Sequence, residues 1–338
     1  MEQSAIEPGT ETPPASQPDP LWALAWSERD GPRELHTFDE VEAAYGDRST
    51  RLWVDLTDAQ RDLLVALGGV LSIHHLVMED VLERNQRAKI ELTGEALHLV
   101  MFALSYSGEI VANEVDIVVG ERFLLTSHEA GLDPRAAPFM RRNPTAYLSG
   151  GTDYLLWALA DWLVDDYFPV FDRLGDEIDE LEDDVMRRPS AWIVERLFQI
   201  RRELLVIRHA VNPQREIFNQ LTNRDLGLIQ RERILYFRDV YDHLIRLTDE
   251  LDSYRELVGT AMDIYLSQIN NNLNEVVKRL TAVTVILAGL GAVAGIFGMS
   301  EAGSALAGGE GIGFWLVSLG LVGLAGLAAI YFRRIGWI

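Results

Sequence analysis

Two stretches of the chain carry no charge at all. Residues 280–299 and 312–332 run for 20 and 21 residues without an Asp, Glu, Lys or Arg. As helices, each is long enough to cross a hydrocarbon core of about 30 Å. Residues 300–311 join them, twelve in number, six of them Gly or Ser. A pair of buried core helices is the alternative, but adjacent uncharged runs of this length are rare in soluble domains, and we read two membrane spans. The rest of the 338-residue chain is of the opposite kind. The whole chain has 30 basic and 52 acidic side chains, a balance of −22, and residues 280–338 contribute zero to that balance (Glu301 and Glu310 against Arg333 and Arg334). Residues 1–279 therefore hold the whole net charge of −22.

That charge excludes the basic face a nucleic-acid partner needs. There is no cysteine, which excludes disulfides, thiolate zinc sites, iron–sulfur clusters and cysteine nucleophiles. A metal must then be held by oxygen or imidazole, and hard cations such as Mg²⁺ prefer oxygen. The chain has no P-loop, so nothing points to an ATP-driven pump, and neither an enzyme nor an organic cofactor is expected. Only two of the 30 basic residues are lysines, Lys89 and Lys278.

Flanking charge sets the expected orientation. Lys278 and Arg279 precede the first uncharged run, Arg333 and Arg334 follow the second, and the loop between them has two glutamates and no basic residue. The positive-inside rule then puts the loop outside and both termini in the cytoplasm of a cell whose plasma (inner) membrane the chain crosses twice. Residues 1–20 hold five prolines and no apolar signal-peptide core, and read as a disordered tail.

Between these ends the pattern changes once. Residues 21–150 mix strand and helix signals and read as a cytoplasmic α/β domain with a mostly antiparallel sheet. Strands are expected at 51–56 (RLWVDL) and 96–105 (ALHLVMFALS). Residues 114–119 and 122–126 flank Gly120-Glu121 as a hairpin. Short helices are expected at 58–67 and 76–84. Residues 151–234 read as cytoplasmic helices, broken at Pro169 and at Pro189-Ser190, with Pro213 inside the last. Residues 172–184 hold eight carboxylates in 13 positions, either a solvated face or a loose cation-collecting surface. From 235 to 299 there is no proline, which predicts one helix of about 95 Å, a stalk that becomes the first span. A helix that long cannot be stabilised alone and implies a bundle of equivalent stalks. The external loop 300–311, the second span 312–332 and a cytoplasmic tail 333–338 complete the expected order.

Alternate steps of four and three keep residues on one helical seam. From Asp263 that seam reads Asp263, Ser267, Asn270, Asn274, Val277, Thr281, Thr284, Ala288, Gly291, Gly295. A coiled coil would have Leu and Ile there. Gly291 and Gly295 make a small-xxx-small pattern, which also suits tight helix packing. The polar run below them is poor glue for a dry interface and suits a water-filled cation path.

These stretches resemble the CorA-type divalent cation channels of bacteria and archaea. The resemblance rests on residues 73–91 (IHHLVMEDVLERNQRAKIE), 163–183 (LVDDYFPVFDRLGDEIDELED), 236–243 (YFRDVYDH), 262–281 (MDIYLSQINNNLNEVVKRLT) and 295–300 (GIFGMS). It implies a funnel-shaped homopentamer with an α+β cytoplasmic domain, a long stalk helix from each subunit lining the pore, and an outer ring of second spans. It implies passive transport of hydrated Mg²⁺, often with Co²⁺ or Ni²⁺, closed by Mg²⁺ bound between subunits. The regulatory ligands it points to are Glu79, Asp80, Asp161 and Asp239.

The family's Gly-Met-Asn signature at the outer mouth is Gly298, Met299 and Ser300 here, and Gly289 stands where the family usually has proline. A serine ring is wider than an asparagine ring, so relaxed or shifted selectivity is expected. A zinc transporter of the ZntB branch and a non-conducting membrane-anchored cation sensor are the alternatives.

Overall fold

The computed structural model describes residues 20–106, 108–187, 190–224, 226–299 and 312–337. The described part of the expected N-terminal tail is its last residue, Pro20. The rest of it, Ser300 and the loop 301–311 lie outside the described residues. The chain divides into two compact units, Met1–Asp179 with Phe198–Val258 and Glu180–Leu197 with Gly259–Ile338.

The first unit is built on a seven-stranded sheet. Its strands are β1 (Leu21–Ser27), β2 (Gly31–Leu35), β3 (Arg51–Thr57), β4 (Lys89–Thr93), β5 (Ala96–Tyr106), β6 (Ile110–Val119) and β7 (Phe123–His128). The spatial order is β2-β1-β3-β7-β6-β5-β4, so β4 is an edge strand. Every pairing is antiparallel except β3 with β7. The long apolar runs of β5 and β6 make the longest ladder, with Val100 opposite Asp116 and Leu97 opposite Val119. The turn from β6 to β7 uses Gly120 for a reason of packing. A Cβ there would lie 2.2 Å from the Phe123 ring, which is itself part of the core.

Three helices follow the first strands, α1 (Phe38–Gly46), α2 (Arg61–Leu71) and α3 (His75–Glu83). Thr37 and Glu40 close a capping box on α1, which satisfies two otherwise orphan N–H groups. The helix expected from residue 58 begins at Arg61 instead. Asp58 sits at φ 49°, and its carboxylate accepts from Arg84 and from the Ala130 amide, so it is spent on a loop. Val41, Leu64, Leu67, Val77 and Val81 of these helices pack with Leu52, Val54 and Leu56 of β3 in one core.

The next helices are α4 (Pro138–Arg142), α5 (Pro144–Gly150), α6 (Thr152–Asp165), α7 (Phe168–Arg187), α8 (Ala191–Asn223) and α9 (Ile234–Met299). α7 begins one residue before Pro169, a position that tolerates the missing N–H. α8 carries Pro213 within it. Thr152 at the start of α6 donates to the Gly120 carbonyl at 2.8 Å, and the Tyr167 hydroxyl donates to the Phe102 carbonyl. Helix α6 is thereby tied to the sheet. Tyr167, Phe171, Phe218 and Phe237 are among the largest fully buried side chains.

In the second unit α9 continues from Gly259 to Met299, and α10 spans Ile312–Arg334. The helix from Arg231 to Ile296 contains an 18-residue window of mean hydropathy 1.8, only 6% of it buried. Among the described residues it is the helix that meets the length and apolarity needed to cross a membrane. In α10, Leu319, Val322 and Leu327 are exposed. Apolar surface left open in this way needs lipid or another chain to cover it.

Candidate metal centre and cation path

Helices α6 and α9 each place two metal-type ligands one turn apart. Asp161 and Asp165 are i,i+4 on α6, and Asp239 and His243 are i,i+4 on α9, so each pair shares a face. The Asp161, Asp165 and His243 ligand atoms all lie within 4.8 Å of one another. His243 Nδ1 is 3.3 Å from Asp165 Oδ1, and the ring stands edge-on to Phe168 with centroids 5.5 Å apart. Burial pushes Asp161 up to about 6, and the like charges of Asp165 and Asp239 add to it against the opposing pull of His243. A carboxylate held this way gains from a cation beside it. Asp161 and Asp165 also border a cavity of about 450 Å³ walled by Phe139, Tyr147, Trp157 and Trp162. Carboxylates with one imidazole fit a divalent cation, and the oxygen-rich share fits Mg²⁺.

Glu79 and Asp80 sit on α3. Glu79 is exposed, whereas Asp80 is half-buried and accepts from Lys89 Nζ on β4 at 2.5 Å. Lys89 is also 3.5 Å from Glu91. Behind this pair lies a buried polar group. His98 Nε2 is 2.8 Å from Asp116 Oδ1, both side chains fully buried, and Glu114 accepts from the Gln86 amide at 3.0 Å. Burial and the charge of Asp116 push Glu114 up to about 7. For Lys89, burial works downward, but the hydrogen bond and charge of Asp80, with Glu91 behind, outweigh it and hold the ammonium above the ordinary lysine range.

The structure thus sorts the four expected regulatory carboxylates into two groups within one chain. Asp161 and Asp239 act on each other electrostatically. Among the described residues, no ion pair or ligand grouping joins them to Glu79 or Asp80. Asp165 and His243 were not singled out from the sequence. Both lie in the quoted blocks 163–183 and 236–243 at i,i+4 from an expected ligand, which was the available signal.

On α9, Asp263, Ser267, Asn270, Asn274, Val277, Thr281, Thr284, Ala288 and Gly291 are all exposed. Thr281 donates to the Val277 carbonyl and Thr284 to the Leu280 carbonyl, each at 2.8 Å. Their hydroxyl protons are therefore engaged, and the oxygen lone pairs stay open as acceptors. One position behind this seam runs a second one. Leu266, Ile269, Leu273, Val276, Leu280, Val283 and Leu287 follow each other in steps of three and four and are exposed. A polar seam flanked by an apolar one is what equivalent helices need to pack side by side around a wet axis. The backbone of α9 reaches Gly298 and Met299, and Ser300, the third residue of the expected outer-mouth motif, is outside the described residues.

A helix long and apolar enough to cross a membrane, joined to an α/β domain in which acidic and imidazole groups cluster, is the architecture of a membrane protein with a candidate metal site. Residues 49–334 match the family described as CorA-like Mg²⁺ transporter protein. The chain is 34% identical over 315 residues, 90% of its own length and 89% of the relative's, to the cobalt/magnesium transport protein CorA of Thermotoga maritima. The fold matches the complete structure of the CorA magnesium transporter from Methanocaldococcus jannaschii with a TM-score of 0.77 at 23% identity, covering 94% of this chain and 98% of that one. The ZntB cytoplasmic domain from Vibrio parahaemolyticus is more distant, with a TM-score of 0.59 at 14% identity over 74% of this chain and 99% of that one. The chain belongs to the CorA-like Mg²⁺ transporter family.

Proposed function

We propose that the chain is one subunit of a homo-oligomer, a pentamer by resemblance, that passes hydrated divalent cations across the lipid bilayer of the plasma (inner) membrane. The cargo is chiefly Mg²⁺, with Co²⁺ or Ni²⁺ as further substrates. The observation that carries the reading is the pair of seams on α9. The apolar seam supplies contacts between neighbouring subunits, and the polar seam from Asp263 to Gly291 faces the common axis. A ring of Asp263 concentrates cations at the cytoplasmic end. Asn270, Asn274 and the acceptor oxygens of Thr281 and Thr284 meet the water that a reluctant Mg²⁺ keeps. Gly298, Met299 and Ser300 form the outer mouth. Residues 312–332 make the second span, with residues 21–234 and the tail 333–338 in the cytoplasm. Transport is passive, driven by an inside-negative potential worth about 2.3 kcal/mol per charge per 100 mV, about twice that for a divalent ion.

Gating follows from charge. Glu79 and Asp80 of one subunit approach Asp161 and Asp239 of its neighbour. Those carboxylates repel one another across the interface, and bound Mg²⁺ supplies the positive charge that offsets the repulsion. When cytoplasmic Mg²⁺ falls, the interface loosens and an open state gains population.

Flux of Mg²⁺, Co²⁺, Ni²⁺ and Zn²⁺ into proteoliposomes tests the reading. Mg²⁺ entry is expected, with stronger entry in the Asp80→Ala/Asp239→Ala variant at high internal Mg²⁺. Zn²⁺ entry in preference to Mg²⁺ points to zinc transport instead, and no flux of any ion leaves a sensor.

A further inference from the structure

We infer that Lys89 is a tethered cation that competes with Mg²⁺ for Asp80 and so sets the Mg²⁺ concentration at which the protein responds. The inference rests on the proposed sensing role of Asp80. Its basis is a cluster that has the composition of a metal site and already holds a positive charge from the chain itself. The ligand-type atoms of Asp80, Glu91 and His98 lie within 4.8 Å of one another. The Lys89 ammonium is 2.5 Å from Asp80 and 3.5 Å from Glu91. Strand β4 explains the placement. Lys89 and Glu91 are two residues apart on an edge strand and so share a face, and Glu91 is opposite His98 on β5.

Two further facts favour competition over a static ion pair. The Lys89 and Asp80 side chains are 23% and 28% exposed, so the pair is neither sealed in the core nor free in water. A cation arriving at Asp80 can reach it without unfolding the sheet. The residue type also matters. The chain has 30 basic residues and uses lysine at only two positions. Arginine would grip the carboxylate with a planar, two-pronged fork, whereas a lysine ammonium is a compact charge on a flexible stem that can swing away. A divalent ion that binds Asp80 must either displace that ammonium or endure its repulsion, and both lower its affinity.

The test is Mg²⁺-dependent protection of the full-length, detergent-solubilised protein from chymotrypsin, read as the Mg²⁺ concentration giving half protection. Lys89→Met keeps the aliphatic stem and removes the charge. Its midpoint is expected to fall by about tenfold, the effect of about 1.4 kcal/mol of partly screened repulsion. Lys89→Arg is expected to raise the midpoint about threefold, through the firmer grip of the fork. The shift from Lys89→Met should vanish when Asp80→Asn is added, because it acts through that carboxylate. A purely structural role would change the melting temperature in EDTA and leave the midpoint where it was. An unchanged or higher midpoint in Lys89→Met, or an unchanged one in Lys89→Arg should Lys89→Met fail to fold, overturns the inference and leaves the sensing role of Asp80 standing. Wild-type protein that Mg²⁺ does not protect overturns the sensing role itself, and the inference with it.

Discussion

His243 Nδ1 on α9 lies 3.3 Å from Asp165 Oδ1 on α6, although 77 residues of chain separate the two. The contact joins the two ligand pairs of the candidate metal centre and gives it one nitrogen among oxygens. It also leaves Asp161 beside two other carboxylates, with its own proton held up to about 6.

Asp161→Asn follows from that crowding. Burial and like charge make the ionised form of Asp161 costly in the folded state, so the stability lost as pH rises from the ordinary aspartate value of 3.8 to about 6 is restored by an amide. At pH 8 without metal, the variant should melt higher than wild type by the equivalent of about 1 kcal/mol, after discounting for partial exposure. The gain in melting temperature on adding Mg²⁺ should shrink, since one offsetting ligand is gone. A variant that melts lower in EDTA, with its Mg²⁺ response intact, would show that Asp161 is no part of a cation site.

Much of this was open to reading before the structure. The uncharged runs, the proline-free stalk, the ten-residue apolar stretch of β5 and the Gly120-Glu121 turn before β7 are local patterns, and local patterns are legible. β4 was missed because KIELT is a short edge strand with no buried residue, so it has no apolar face to read. β1 was missed because LWALAWS is buried almost throughout and has no alternation. The Asp165–His243 contact was hidden for another reason. Nothing in residue spacing says which faces of α6 and α9 meet.

Glu114→Gln tests the buried polar group behind Asp80. Burial and Asp116 raise the Glu114 pKa from 4.5 to about 7, so the folded protein binds this proton more tightly than the unfolded chain. Its contribution is therefore present below pH 4.5 and is lost as pH rises through about 7. Wild type should lose stability between pH 5 and 8, and Glu114→Gln should lose less, by about 1–2 kcal/mol or about 2–8 °C in melting temperature. The glutamine carbonyl can still accept from the Gln86 amide, so the fold is kept. Parallel melting curves across pH for the two proteins would count against the assignment.

Leu273→Lys addresses assembly. Leu273 is 58% exposed in the single chain, so in an isolated subunit a lysine there would change stability by no more than about 0.5 kcal/mol. In an oligomer whose neighbours meet along the seam from Leu266 to Leu287, the same lysine is a charge buried in an apolar contact. Light scattering of the detergent-solubilised protein should show a smaller particle for Leu273→Lys, while Gln268→Lys, off the seam, keeps its size. Equal sizes would mean that the apolar seam is not where one copy meets the next.

On the proposed cation path, the threonines decide what the polar seam offers the ion. Because Thr281 and Thr284 spend their protons on backbone carbonyls, each presents an acceptor oxygen beside a methyl group, suited to the outward-pointing hydrogens of a hydrated ion. Thr281→Val with Thr284→Val keeps shape and helix and removes both acceptors. Losing one hydrogen bond of about 1 kcal/mol to the passing hydration shell at each ring predicts Mg²⁺ flux reduced by about fivefold or more, with particle size unchanged. Thr281→Ser and Thr284→Ser keep the oxygens and should keep the flux. If valine conducts as well as threonine, the seam is a packing surface and the ion travels elsewhere.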